Sequence, residues 1–198
     1  MTFPGTPLLA PLPAGSLLVR IYDSRFYGDG TGFRFFGPHR AGRWDHHTDG
    51  PPAHDPVHGV LYVTPSLSCA VAEAYGDARL VAPAPYHRLS IVRTTRDLRL
   101  ADTSGAAAIE LGVPAGALRS RDRSLTQRVS RELYAGTDAD GVRYEGYFTG
   151  EECIALWERA RDAVDLLDDR GFDDPAVAAD VLVIADDLHY AVGDLGPF

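Results

Sequence analysis

An α+β fold is the class this sequence predicts, on three observations. Runs with strand composition are interspersed with segments of helical period, without the regular alternation of a doubly wound parallel sheet. The 198 residues suffice for one compact domain with a sizeable core. Hydrophobic content of 45% and charged content of 24% are those of an ordinary globular protein, with no repeat or low-complexity tract to suggest otherwise.

Residues 1–15 form an N-terminal extension, and residues 16–198 make the domain. The extension lacks a basic leader and carries Pro4, Pro7, Pro11 and Pro13, so it does not read as a signal peptide. Residues 16–22, Ser-Leu-Leu-Val-Arg-Ile-Tyr, read as a strand that sets Arg20 among apolar neighbours. From Asp23 to His58 the chain is rich in Gly, His and aromatic residues and has no clear period. A connection of that length is usually functional. Residues 59–64 read as a second strand, and Thr64-Pro65 as the cap and first position of a helix reaching about Tyr75. Strands are expected at 86–93 and 97–101, and helices at 105–112 and 124–135. The second of these helices takes Ser124 as its cap and sets Leu125, Val129 and Leu133 on one face. Strand-like pieces follow at 142–148 and 153–157. The chain is then expected to finish in helices, the last opening at Asp174-Pro175 with Val177, Val181, Ile184 and Leu188 on one side.

Charge and composition narrow the chemistry. A formal net charge of -9 argues against a nucleic-acid binder, but an acidic protein can still focus cations in one pocket. All 19 basic residues are Arg, which removes a phosphate-loop lysine and a lysine Schiff base. No apolar run approaches the ~18 residues that span a bilayer. Cys69 and Cys153 show neither zinc spacing nor a disulfide framework; they read as buried structural cysteines in a reducing cytoplasm. Gly28-Asp29-Gly30-Thr31-Gly32 leads into Phe33-Arg34-Phe35-Phe36 rather than a helix, so a flexible turn is expected instead of a phosphate loop. His46, His47, His54 and His58, with Asp45, Asp49 and Asp55, read as a solvated loop. Pro51, Pro52 and Pro56 break any helix that would align them on a metal. Asp168-Asp169 and Asp186-Asp187 read as solvated helix faces or caps, and no nucleophile elbow is present.

The segment from Gly42 to Glu73 carries the most information. It offers an arginine fork at Arg43, a tyrosine ending an apolar run at Tyr62, and a carboxylate among small residues at Glu73. A guanidinium pairs bidentately with phosphate, a phenol ring stacks on a flat base, and a carboxylate holds ribose hydroxyls. A carboxylate is seldom buried without a partner, so Glu73 points to a site.

Leu18-Val19-Arg20-Ile21, Gly42-Arg43-Trp44-Asp45, Gly59-Val60-Leu61-Tyr62, Ala70-Val71-Ala72-Glu73, Gly141-Val142-Arg143-Tyr144 and Cys153-Ile154-Ala155-Leu156-Trp157-Glu158 occur in that order. Taken together they resemble the RES domain family, named for its Arg, Glu and Ser, which includes toxins of bacterial toxin–antitoxin pairs. The resemblance runs from about Leu17 to Trp157. It implies an ADP-ribosyltransferase-like fold, a mixed split sheet with flanking helices, and cleavage of the nicotinamide–ribose bond of NAD by hydrolysis or phosphorolysis. Catalytic roles fall on Glu73, Arg43 and Tyr62, and NAD contacts on Arg20, Arg43, Tyr62, Glu145 and Gly146. No metal is implied, and no cofactor beyond NAD as substrate. The implied partners are NAD, inorganic phosphate and an antitoxin protein, and a homodimer is compatible with the chain. Two positions depart from the pattern: Asp45 stands where the family usually has Asn, adding a charge near the pyrophosphate, and Gly146 stands where its Ser is expected. Protein ADP-ribosyl transfer, a weakened NAD or ADP-ribose binding module and a metal enzyme using the His46–His58 loop remain the alternative readings.

Overall fold

The computed structural model describes Gly5, residues 7–119 and residues 122–193. Strands β1 (Leu9–Leu12) and β2 (Leu17–Asp23) lead into a long segment holding the short pair β3 (Phe36–Gly37) and β4 (Ala53–His54). Then come β5 (Val60–Val63), helix α1 (Leu67–Tyr75), β6 (Leu80–Val81), β7 (His87–Thr94) and β8 (Leu98–Asp102). Helices α2 (Gly105–Glu110), α3 (Ala115–Leu118) and α4 (Arg123–Gly136) precede β9 (Gly141–Glu145) and β10 (Glu152–Trp157). A 3₁₀ turn at Glu158–Ala163, β11 (Val164–Gly171), α5 (Pro175–Asp187) and β12 (Ala191–Val192) complete the described chain.

Two main sheets share the work. One is five-stranded in the order β1-β8-β9-β10-β5, antiparallel except for the parallel β8–β9 pair, and the other is three-stranded in the order β11-β7-β2. They meet where Val19 and Thr64 exchange backbone hydrogen bonds of 2.7 and 3.0 Å, so β2 and β5 touch at one point and diverge beyond it. This is the predicted α+β class with a split sheet. Leu18 and Val92 of the small sheet interleave with Leu61, Leu98, Ile154 and Leu156 of the large one, an apolar layer with every side chain near zero exposure. Helices α2–α4 cover the outer face of the large sheet around Trp44, Val129, Leu133 and Trp157. Helices α1 and α5 cover the small sheet around Val71, Leu89, Phe172, Val177 and Val181.

Several expectations are corrected. Leu9–Leu12 of the extension forms the edge strand β1, paired with β8 from Leu9↔Ala101 to Leu12↔Leu98. Helix α1 is capped by Ser66, whose Oγ accepts the Cys69 amide at 3.2 Å; Thr64 instead belongs to the sheet junction, its hydroxyl donating to the Glu152 carbonyl. Asp122, not Ser124, caps α4. The strand expected at 142–148 ends at Glu145 and gives way to a turn.

Residues 164–171, which include the Asp168-Asp169 pair expected on a helix face or cap, are a strand on the edge of the small sheet. A register shift between Leu166 and Asp168 breaks its alternation and conceals the period of two. Asp169 is accordingly no helix cap: its carboxylate accepts the Tyr22 hydroxyl at 2.8 Å and Arg88 Nε at 2.9 Å. Helix α5 begins as expected, with the Asp174 side chain accepting the Ala176 amide and Pro175 in its first turn.

Candidate functional site

Beyond the Val19–Thr64 contact the gap between the sheets opens into a cavity of about 190 Å³. Arg20 enters it from β2, Tyr62 from β5, Glu73 from α1, Tyr144 from β9, Cys153 from β10, Arg43 from the long loop and Arg123 from the start of α4. A second cavity of about 530 Å³ shares Arg20, Ala41 and Tyr62 with the first, and is walled by Tyr22, Phe26, Tyr27, Arg34 and Phe36. That volume lies within the range of roughly 300–1,000 Å³ usual for small-molecule clefts. Thus Arg20, Arg43, Tyr62 and Glu73, up to 53 positions apart in sequence, line one cavity. Glu145 does not: its Oε2 lies 3.1 Å from Arg119 Nη1 beside a separate small pocket.

Glu73 sits late in α1, whose N-terminal end is fixed at the sheet junction through Ser66 and Thr64. Its Oε1 accepts the Tyr147 amide at 2.8 Å and, more weakly, the Phe148 amide at 3.4 Å, so the turn after β9 holds the carboxylate from below. Oε2 takes no hydrogen bond from the described residues, and the side chain borders the cavity. Gly146 lies against this group. A Cβ there would stand 3.0 Å from Glu73 Oε1, 3.1 Å from Cys153 Sγ and 3.4 Å from Cys69 Sγ, and its φ is outside the positive region. Space, not backbone conformation, is therefore what a serine at 146 would meet.

The arginines are held by backbone carbonyls. Arg20 is almost fully buried and donates from Nη1 to the carbonyls of Gly30 at 3.2 Å and Gly32 at 2.9 Å. Its guanidinium carbon lies 4.2 Å from the ring centre of Tyr27 and 4.9 Å from that of Tyr22. The glycine-rich segment is thus no free turn; it is the seat of Arg20. Arg43 donates to the Leu118 carbonyl at 3.1 Å and lies 5.3 Å from the Tyr147 ring centre. Burial, then the nearby Arg123, pulls its pKa below the usual arginine range. Three guanidinia on one cavity make a focused cationic site within an acidic chain.

The loop that carries Arg43 is organised around Asp45. This fully buried carboxylate receives Arg34 Nη2 at 2.5 Å, the Tyr62 hydroxyl at 2.8 Å and the His39 amide at 2.6 Å. Burial works against its ionisation, but Arg34 and these donors hold its pKa below the ordinary range. The charge expected to face a pyrophosphate is therefore spent on Arg34. Burial and the Asp45 charge raise the Tyr62 pKa well above normal, so the phenol stays protonated, donating to Asp45 while accepting the Trp44 amide at 2.9 Å. Helix α4 clasps the same loop: Gln127 donates to the carbonyls of His39 and Gly42, Arg123 to that of Ala41, and Ser130 to that of Trp44.

Of the four histidines expected in a solvated loop, His54 is exposed as expected and His58 is half-buried, but the other two are not solvated. His46 and His47 are buried, and His46 Nε2 lies 2.9 Å from Glu158 Oε2, which also receives the Gly59 amide. Although burial opposes ionisation of Glu158, these donors and Tyr134 keep its pKa at about 2. Among the described residues no group of three or more His, Cys, Asp or Glu side chains is arranged to hold a metal ion.

Sequence reasoning missed Arg34, Arg123 and Tyr144 as cavity residues. Arg123 had a faint signal, as a cation opening a helix, where it does not serve the dipole.

The RES domain family profile matches residues 17–178. The chain belongs to the RES domain family. All four residues gathered at the cavity fall within the matched span, whereas strand β1 lies before it. Among solved structures, a chain from the crystal structure of the M. tuberculosis MbcT–MbcA toxin–antitoxin complex superposes with a TM-score of 0.60 at 17% identity, over 87% of this chain and 92% of that one. At that identity the likeness is one of fold. No curated protein matches.

Two stability predictions follow from the loop. A Cβ at Gly42 would lie 2.1 Å from Asp45 Oδ1, which Arg34 and Tyr62 hold in place. Gly42→Ala should cost about 1–3 kcal/mol by overpacking, lowering Tm by roughly 3–10 °C in a chain of this size; an unchanged calorimetric Tm would refute the constraint.

The second concerns pH. Burial pushes His47 down to about 4. The unfolded chain therefore binds this proton at higher pH than the folded one, and stability falls as pH drops from about 6.5 toward 4. From pH 7 to pH 5 this group should remove roughly 2 kcal/mol. Urea titrations should show the slope flattened in His47→Leu.

Proposed function

We propose that this RES domain cleaves NAD at the nicotinamide–ribose bond, with water or inorganic phosphate as acceptor. The observation that carries the reading is the convergence of Glu73 with the guanidinia of Arg20 and Arg43 on one cavity. Breaking this bond builds positive charge on the ribose, as in glycoside cleavage. A carboxylate whose one oxygen is fixed by backbone amides has little left to reorganise as that charge develops, which favours the transition state over bound NAD. The other oxygen is suited to the ribose hydroxyls. Arg20 and Arg43, joined by Arg123, would hold the pyrophosphate, and the Tyr62 ring would stand against a planar group at the junction of the two cavities. NAD enters as substrate, and no cofactor is invoked.

On this reading the chain is the toxin of a toxin–antitoxin pair, acting in the cytoplasm and held in check by an antitoxin protein. The family match and the fold shared with the MbcT–MbcA complex support it. Glycine at 146 favours a second reading, an NAD or ADP-ribose binding module with weak turnover. Incubating the purified protein with NAD, with and without phosphate and with EDTA, tests both. Loss of NAD indifferent to EDTA is the expected result; NAD bound but recovered intact would favour the binding module.

Glu73→Gln keeps the shape and removes the charge. Turnover should fall by roughly 10²–10³, the usual cost of losing one electrostatic stabiliser, with NAD affinity changing much less. A folded Glu73→Gln protein with full activity would falsify the assignment.

Arg43→Lys preserves the charge but not the planar fork. The expected outcome is a raised KM for NAD in steady-state kinetics, and an unchanged KM would remove Arg43 from the pyrophosphate site.

A further inference from the structure

The two cysteines of the chain lie 84 positions apart, on α1 and β10, yet their Sγ atoms are 3.3 Å from each other. No disulfide joins them. Cys153 forms part of the cavity wall, and Cys69 lies directly behind it with its sulfur accepting from the Thr149 hydroxyl at 3.5 Å. The point a Cβ of Gly146 would occupy is within 3.0–3.4 Å of Glu73 Oε1 and both sulfurs, so the carboxylate and the dithiol share one corner of the cavity. Glu73 also follows Cys69 by four residues on α1, which sets the two on the same helix face.

From this arrangement we infer that Cys69 and Cys153 are a peroxide-reactive dithiol, oxidised to a disulfide that displaces Glu73 and shuts the site. The thiols differ in acidity. Contact with the Cys153 thiol lowers the pKa of Cys69, whereas contact with Cys69, together with burial, raises that of Cys153. Cys69 is therefore the sulfur that gives up its proton more readily, and Cys153 the one that holds it. The Cys69 thiolate attacks a peroxide oxygen, breaking the O–O bond to give a sulfenic acid and hydroxide. Cys153 sulfur then displaces the sulfenic hydroxyl, its proton leaving with that oxygen as water. In sum two thiols and one hydrogen peroxide become one disulfide and two waters, the sulfurs giving up two electrons and the peroxide accepting them. Closing the bond requires the sulfurs to approach from 3.3 Å to about 2.05 Å, which draws α1 toward β10 and moves the helix turn that carries Glu73.

The loss of activity rests on the NAD-cleaving reading; formation of the disulfide does not. The experiment treats the full chain with hydrogen peroxide, then reads intact mass, peptide map and NAD cleavage on one sample, before and after dithiothreitol. The expected result is the loss of two hydrogens in an intramolecular Cys69–Cys153 peptide pair. NAD cleavage should fall by roughly 10²-fold, the cost of misplacing a catalytic group by ~1 Å, and return on reduction. Cys69→Ala, which leaves the cavity wall intact, should form no such pair and lose no activity to peroxide. Two free thiols remaining under conditions that fully oxidise glutathione would overturn the proposal, whether or not Cys69→Ala folds. So would a disulfide that forms without changing NAD cleavage. A protein that never cleaves NAD still yields the peptide map, so failure of the functional reading is separately visible.

Discussion

The arrangement depends first on the buried carboxylate of Asp45. Three donors converge on it from different directions: the Arg34 guanidinium, the Tyr62 hydroxyl and the His39 amide. A buried charge left without its partner typically costs about 3–5 kcal/mol, so removing Arg34 would leave the loop without a reason to lie where it does. Because Tyr62 belongs to β5 and accepts the Trp44 amide in return, the loop takes its position from the large sheet. Trp44, with no exposed surface, then locks the adjacent Arg43 against the carbonyl of Leu118. A loop of this length with only the short β3–β4 pair carries an entropic cost, which here is met by one charge cluster and four side-chain clasps from α4.

The cavity owes its existence to divergence of the sheets. β2 and β5 are joined through Val19 and Thr64 and then separate, so side chains beyond that point have no strand opposite them and face an open space. Helix α1 spans the seam. Val71 and Tyr75 pack toward the small sheet, while Cys69 joins the core beneath the large one. Its length and capping therefore set how far Glu73 reaches, and the amides of Tyr147 and Phe148 fix where the carboxylate stops.

Concentrating guanidinia in a chain of net charge -9 carries its own constraint. Like charges repel across a low-dielectric gap, and here each cation is assigned a backbone carbonyl: Gly30 and Gly32 for Arg20, Leu118 for Arg43, Ala41 for Arg123. Carbonyl dipoles stabilise the cations without cancelling their charge, so the cavity keeps its attraction for an anion. Arg34, by contrast, is neutralised by Asp45 and serves architecture.

By itself the sequence determined the α+β class, most strands and helices, and four of the residues that line the cavity. Hydrophobic period and caps are local properties, and short ordered motifs around Arg20, Arg43, Tyr62 and Glu73 can be read without knowing what they touch. What it could not disclose were pairings between distant segments. The bulge between Leu166 and Asp168 erased the alternation of β11, and the extension gained a strand because β8 offered an open edge. His46 and His47 are polar residues in a Pro-rich stretch, and burial is a property of what folds over them. Asp45 read as an added charge until Arg34, eleven residues earlier, came to lie against it. The sulfurs of Cys69 and Cys153 meet because α1 crosses the seam above β10, and only the tertiary structure decides such a contact, since nothing along the chain encodes it locally.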